Sequence, residues 1–466
     1  MKHPAVRTIV LTWLAWVFIV IGYQAWSTAR FQPAWPDRAL EWTTKETASA
    51  DYQRRWPYLT EPFMNDQVAW DSEYYLGIAT GGYDNPRVKA LSPFGEVSYV
   101  IDHLVSGGSA SSSDYLSLSY AFFPFYPLTI RLLSVPLRVL GLNPIATATL
   151  AGVIISALGA LAGMLALYDL TRETLGEEGG LRAAFYLTIF PTGFFLVQVY
   201  TEGLFVGLAF WVLALLRRKQ WLWAGILSVC ATLTRAVGAA LFVPLFIAWV
   251  REGDWLDIDL EWRQIYYYTA HSLRMAAAAW RKLLHRARPD DPSWTQINDE
   301  LYVLRSFAKG LVVISPALAF LGWKFSPLGI KFSFVEQNYF GRGFLMLGES
   351  YYAWATALHQ MLFDGVPERT AYYLLEFAAI LLGIIACVVT WKRYPELAWF
   401  SLAVVVLSWG SGGAQGMHRY ILTAPSVFVA LARWGKNPVF DRAWTLASIL
   451  LMGLLATLFA FNFWVA

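Results

Sequence analysis

A chain of 466 residues that is 57% hydrophobic and 17% aromatic, with only 15% charged residues and a mean hydropathy of +0.44, has too little polar surface to clothe a soluble core. Its formal charge of +3 is too small, and its basic residues too scattered between apolar runs, for nucleic-acid binding. What remains is an all-α polytopic membrane protein, since lipid gives the backbone no hydrogen-bond partners and each crossing needs roughly 20 mostly apolar residues in a helix.

In chain order, the run from Val6 to Trp26 follows Lys2, His3 and Arg7, is long, and lacks a small-residue cleavage site, so it is expected to be an uncleaved first span starting from the cytoplasm. Ser27 to Asn143 is then the first extracytoplasmic loop. Its basic residues, Arg30, Arg38, Lys45, Arg54 and Arg55, do not oppose this, because long loops translocate largely regardless of charge. Within it, Ala121 to Leu140 is apolar but carries Pro124, Pro127, Pro136, Arg131 and Arg138, which predicts interfacial helix rather than a clean span. Spans are expected over Pro144 to Leu170, Leu181 to Val199 and Thr201 to Leu216, where Arg217-Arg218-Lys219 marks the cytoplasm. Two more, Trp221 to Thr234 and Ala236 to Val250, lead to a cytoplasmic insertion from Arg251 to about Ala308. Its stretch from Trp262 to Arg288 is basic and is expected to lie as an amphipathic helix on the anionic inner leaflet. Lys309 to Trp323 runs outward, Lys324 to Arg369 forms a second extracytoplasmic loop, and Ala371 to Trp391 returns to Lys392 and Arg393. Leu397 to Trp409, Tyr420 to Trp434 and Trp444 to Phe463 bring the total to about 11 spans in one membrane domain. The many Trp, Tyr and Phe side chains read first as interfacial anchors, and Cys230 and Cys387 as small hydrophobes.

Three clusters carry the candidate chemistry. Trp70-Asp71-Ser72-Glu73-Tyr74-Tyr75 spaces two carboxylates by one residue: extended, both face one side; helical, they splay. Aromatic surroundings raise a carboxyl pKa and suit a general base for a sugar hydroxyl, although solvated loop acids are the commoner outcome of such spacing. Tyr200-Thr201-Glu202 puts an acid beside membrane-buried sequence, where it is either functional or a cap for helix amides. Arg235, at the matching outer turn of the next hairpin, can clamp a phosphate or snorkel to headgroups, the commoner fate. Gly412-Gly413-Ala414-Gln415-Gly416-Met417-His418-Arg419 offers a glycine-rich turn that admits a ligand close to the backbone, followed by two cationic or donor groups. No spacing among the six histidines suggests a metal site. In the topology drawn from loop charges, Asp71, Glu202, Arg235, His418 and Arg419 all emerge on one side.

These same positions resemble the PIG-V family, the second mannosyltransferases of GPI-anchor assembly with their prokaryotic relatives. The likeness is carried by WDSEYYLGIATGGY (70–83), AFFPFYP (121–127), FPTGFFLVQVYTEGLF (190–205), LTRAVG (233–238) and HRYILTAP (418–425), and less strongly by 323–342 with Ser326-Pro327-Leu328-Gly329 and Glu336-Gln337. It implies a GT-C fold and inverting transfer of mannose from a polyprenyl or dolichyl phosphate donor to a lipid-linked or glycan acceptor. By that likeness Asp71 is the base, Glu73 a second catalytic candidate at a position where the family tolerates other residues, and Arg235, His418 and Arg419 hold the donor phosphate. Trp70, Tyr74, Tyr200, Glu202, Glu336 and Gln337 fall in the matching patches and are expected to line the substrates. The insertion 251–308 has no counterpart in the family. No cofactor is expected to be required, though a carboxylate pair is compatible with a divalent cation.

The absence of an Asn-x-Ser/Thr sequon and of a retention tail favours a prokaryotic plasma membrane over the endoplasmic reticulum. The alternative function is a transporter or flippase of a glycolipid, with Glu202 and Arg235 in the substrate path; such proteins usually show two related halves, and no internal repeat is visible.

Overall fold

The computed structural model describes residues 4–48, 56–91, 116–252, 262–284, 288, 291–294 and 302–465. Arg54, Arg55, Arg286 and the rest of the insertion at 253–261 and 295–301 lie outside the described residues. The chain is helical nearly throughout: α1 (Pro4–Arg30), α2 (Ser72–Gly81), α3 (Phe125–Leu137), α4 (Pro144–Ile189), α5 (Glu202–Arg217), α6 (Trp221–Thr232), α7 (Phe242–Glu252), α8 (Trp262–Leu283), α9 (Tyr302–Lys324), α10 (Gly329–Asn338), α11 (Leu347–Phe363), α12 (Pro367–Thr390), α13 (Pro395–Trp409), α14 (Met417–Tyr420), α15 (Pro425–Trp434) and α16 (Pro438–Ala460). Among the described residues the sheet content is one two-residue antiparallel pairing, Ala90–Leu91 with Leu116–Ser117. The protein is an integral membrane protein of all-α, polytopic class.

Four helices, α1, α4, α12 and α16, are each long and apolar enough to cross a membrane, and α9 with α10 forms a further candidate bent by 82°. The expected count near 11 is not reached by length alone, because several predicted spans are short helices continued by 3-10 turns. The predicted span 236–250 is a 3-10 segment, Ala236–Leu241, leading into α7; the span from Tyr420 is α14, the 3-10 turn Ile421–Thr423 and then α15. Such irregular backbone survives at membrane depth only where protein surrounds it: Ile421–Thr423 is buried throughout, and Gly238, Ala240 and Leu241 are buried in the other segment. α4 joins two predicted spans in one element with a kink at Gly176, whose φ of +77° suits a residue without a Cβ. It starts where Asn143 caps Ala146 N–H at 2.9 Å and Pro144 occupies the first turn, both standard start signals.

The centre of the fold is the contact of α4 with α5, and glycine sets its spacing. A Cβ on Gly203 would sit 2.2 Å from the Ser156 carbonyl oxygen, and one on Gly159 would sit 2.3 Å from that of Gly203. Small residues let helix backbones approach where lipid supplies no hydrophobic drive for association. Gln24 of α1 binds Gln198 at 2.9 Å and donates to the Asp66 and Ala456 carbonyls at 3.2 and 3.3 Å. This buried knot ties the first loop and α16 to the α4–α5 junction.

α5 starts at Glu202 and ends at Arg217, so about 22 Å of helix separates them at 1.5 Å per residue. The basic turns gather at the Arg217 end: Arg251 pairs with Glu396, and the Arg217 guanidinium lies 5.9 Å over the Tyr394 ring. The candidate chemistry gathers at the other.

Candidate active site

At the Glu202 end, four separate segments meet through charge. Asp71 is the residue before α2, yet its carboxylate does not cap that helix; it receives Arg419 Nη1 at 3.0 Å. Arg419 Nε lies 3.5 Å from Glu202 Oε1, and Glu202 also takes Arg235 Nη1. The series Asp71–Arg419–Glu202–Arg235 is therefore continuous. Glu202 is fully buried and neither it nor Thr201 caps α5. Burying a carboxylate is expensive without close cations, and two arginines supply them. Arg235 also donates to Thr201 Oγ1 at 3.0 Å, so its side chain turns inward rather than toward headgroups. The Asp71 and Arg235 side chains keep 20% and 14% of their surface exposed, so the two ends of the series stay partly accessible.

Aromatic rings pack around the series. Tyr200 accepts the Asp71 N–H at its hydroxyl, 3.2 Å away. The Arg419 guanidinium stands 5.3 Å over the Tyr200 and Tyr420 rings, and Arg235 and Arg342 stand 5.3 and 5.2 Å over Tyr420. Three guanidinium groups thus share one ring, each within cation–π range. Arg342, which the sequence reading did not single out, is fixed by the glycine-rich turn: it donates to Ser411 Oγ at 3.2 Å and to the Gln415 carbonyl at 2.8 Å. Its only sequence signal is its place at the end of the weaker matching patch.

The turn before Arg419 is itself held from below. Glu376 of α12 is fully buried and its carboxylate accepts the N–H groups of Gly416, Met417 and His418, while Gly416 takes the left-handed conformation that glycine permits, with φ +85°. His418 Nδ1 is 3.3 Å from Glu376 Oε2, and its Nε2 contacts the Val465 carbonyl. His418 is thus beside the series but turned toward α12 and the 461–465 segment. The signal for Glu376 was an acid within a long apolar run, and it went unused.

The remaining candidates separate. The helix begins at Ser72, so the splayed alternative holds: Glu73 points away from Arg419 and accepts the Lys89 N–H at 3.1 Å. It is nearly fully buried, and burial pushes its pKa up to about 7 against the pull of Lys89. Tyr74 is buried and stacks on Phe122 at 4.6 Å. Trp70 packs edge-on against Trp42 and Trp464. Glu336 lies on α10 with Arg342 and Lys324 as its charged neighbours, and Gln337 is exposed. Neither has a hydrogen bond or ion pair to the Asp71 series among the described contacts. No group of three or more His, Cys, Asp or Glu side chains converges as a metal site among the described residues.

No family model and no curated protein matches the chain. Among solved structures it is similar to the Archaeoglobus fulgidus oligosaccharyltransferase in the apo form, at 14% identity and a TM-score of 0.43, covering 100% of this chain and 57% of that one. It is also similar to the archaeal oligosaccharyltransferase AglB of the same organism in complex with an inhibitory peptide and a dolichol-phosphate, at 15% identity and TM-score 0.38, covering 96% and 56%. A third similarity is to ArnT from Cupriavidus metallidurans bound to undecaprenyl phosphate, at 14% identity and TM-score 0.25, covering 78% of this chain and 76% of that one. The chain spans little more than half the length of the oligosaccharyltransferases it matches.

Proposed function

We propose that the chain is an inverting GT-C glycosyltransferase that moves a sugar, mannose by its likeness to the PIG-V family, from a polyprenyl or dolichyl phosphate donor to a hydroxyl of a lipid-linked or glycan acceptor. The observation that carries this reading is the ion-pair series Asp71–Arg419–Glu202–Arg235, drawn from four distant segments, with Asp71 and Arg235 at its two ends still partly exposed. An acid beside clustered cations is what such a transfer needs. Asp71 takes the proton of the acceptor hydroxyl as its oxygen attacks the anomeric carbon from the side opposite the phosphate. The anomeric C–O bond breaks, its electron pair stays on the phosphate, and the lipid phosphate leaves with one more negative charge. Arg235, Arg342 and Arg419 stabilise that charge as it develops, while Glu202 keeps two of the guanidinium groups oriented; His418, expected to share this role, instead faces Glu376 and Val465.

Sidedness follows from charge. The basic turns at Arg217–Lys219, Arg251 and Arg393 assign their end of the molecule to the cytoplasm by the positive-inside tendency, so the Asp71 end faces outward, in our reading across a prokaryotic plasma membrane. The residues at hand suffice for acid–base and charge stabilisation, and the proposal includes no required metal ion.

The test is transfer of labelled mannose from a lipid-phosphate donor in membranes, wild type against Asp71→Asn at matched expression. Loss of about a hundredfold or more supports Asp71 as the base; unaltered transfer refutes it. Movement of intact donor across sealed vesicles without its consumption would support the transporter instead.

A further inference from the structure

Beyond α16, residues 462–465 pack against the segments that carry Asp71 and Arg419. α16 ends in a Schellman-type cap: Phe463 N–H bonds the Leu458 carbonyl at 2.9 Å, Asn462 N–H bonds the Phe459 carbonyl at 2.8 Å, and Asn462 takes φ +58°. Asparagine is among the few residues that adopt this conformation readily. The cap redirects residues 462–465 so that they contact both Trp70, which precedes Asp71, and His418, which precedes Arg419. On one side, the Asn462 side-chain oxygen accepts the Trp70 N–H at 3.3 Å and the Phe463 carbonyl accepts the Trp70 indole N–H at 3.2 Å. On the other, the Val465 carbonyl meets the His418 ring. Between them Trp464 donates its N–H to Asp37 Oδ2 at 2.8 Å and its indole N–H to the Tyr372 hydroxyl at 3.1 Å.

Trp70 is the informative partner. It holds φ +47°, a conformation that is costly for a bulky residue and persists only where surroundings enforce it. Its next residue is Asp71, so the backbone turn at Trp70 decides where the Asp71 carboxylate goes. His418 precedes Arg419, the cation that carboxylate meets.

We propose that residues 462–465 are a positioning strap that holds the Trp70–Asp71 corner in register with the His418–Arg419 turn. The strap touches neither reacting group; it acts through the residue before each. The catalytic consequence rests on the glycosyl-transfer reading, whereas the coupling itself does not.

Asn462→Gly removes the side-chain acceptor while keeping the left-handed cap, and Asn462→Asp keeps both. In the full-length protein in nanodiscs, Asn462→Gly is expected to speed amide exchange over residues 69–73 and 416–420 together, and Asn462→Asp to restore protection of both. In the mannose-transfer assay, Asn462→Gly should lower kcat about tenfold or more with the donor KM within about twofold, and Asn462→Asp should recover it. Unchanged exchange, or a change confined to 69–73, overturns the strap. Wild-type kcat in Asn462→Gly overturns its positioning role. Should the wild type transfer no sugar at all, the exchange measurement still decides the strap, and the transfer reading alone falls.

Discussion

Asp71 and Glu73 are one residue apart and have opposite fates. With the helix starting at Ser72, successive side chains turn by about 100°, so Asp71 meets Arg419 while Glu73 is driven into the fold against Lys89. Burial raises the Glu73 pKa from 4.5 to about 7, so between those values the folded protein binds a proton the unfolded chain has released, and stability falls as pH rises through that window. The cost at pH 7 is on the order of 3 kcal/mol. Glu73→Gln keeps an acceptor for Lys89 N–H without the charge, so its thermal midpoint should exceed that of the wild type at pH 7 and converge with it near pH 4.5. A constant difference across that range would contradict this account. At this scale the sequence is legible where topology does the work: alternating spans place Asp71, Glu202, Arg235, His418 and Arg419 on one side, and ion pairs join Asp71, Arg419, Glu202 and Arg235 in one series. It was not legible where fates hang on a helix start or a backbone turn. The spacing of Asp71 and Glu73 fits either geometry, and Arg342 is one arginine among many until Ser411, Gln415 and Tyr420 are seen around it.

The elements carry the site through their ends. α5 must begin where Glu202 can reach both Arg235 and Arg419, and the glycines fix that position by letting α4 approach. Alanine at Gly203 would drive a methyl into the Ser156 carbonyl, whereas alanine at Gly22 of α1 would meet nothing within 4 Å. Gly203→Ala should therefore destabilise by about 1–3 kcal/mol and reduce transfer, because the adjacent Glu202 moves with it. Gly22→Ala should be neutral or slightly stabilising, helix propensity favouring alanine over glycine by about 1 kcal/mol. Thermal melts of the two variants in the same detergent check both; equal melting points would count against the packing argument. Hydropathy foretold most of these helices within a few residues, as with α1, α5, α12 and α13. It missed their breaks, because 3-10 segments such as Gly193–Val197 and Ala236–Leu241 are as apolar as the helices they interrupt. Those breaks flank Glu202 and Arg235, where a buried site needs backbone that departs from regular helix.

At the scale of the whole molecule, charge divides the protein into two ends. One carries the basic turns, with a cavity of about 320 Å³ lined by Thr8, Ile9, Arg182, Phe185 and Asp441 among others. The other carries the Asp71 series under the 462–465 strap. The sequence located this division through its arginine-rich turns, yet it held no sign that residues 462–465 join the Trp70 and His418 segments, since their bonds run mostly through main-chain atoms. The most direct test is a structure determined with a polyprenyl phosphomannose bound. The account predicts its phosphate against Tyr420 within hydrogen-bond reach of at least two of Arg235, Arg342 and Arg419, with the anomeric carbon between that phosphate and Asp71. A headgroup seated in the cavity beside Arg182 and Asp441, or one at the Asp71 end with Asp71 on the phosphate side of the sugar, would contradict it.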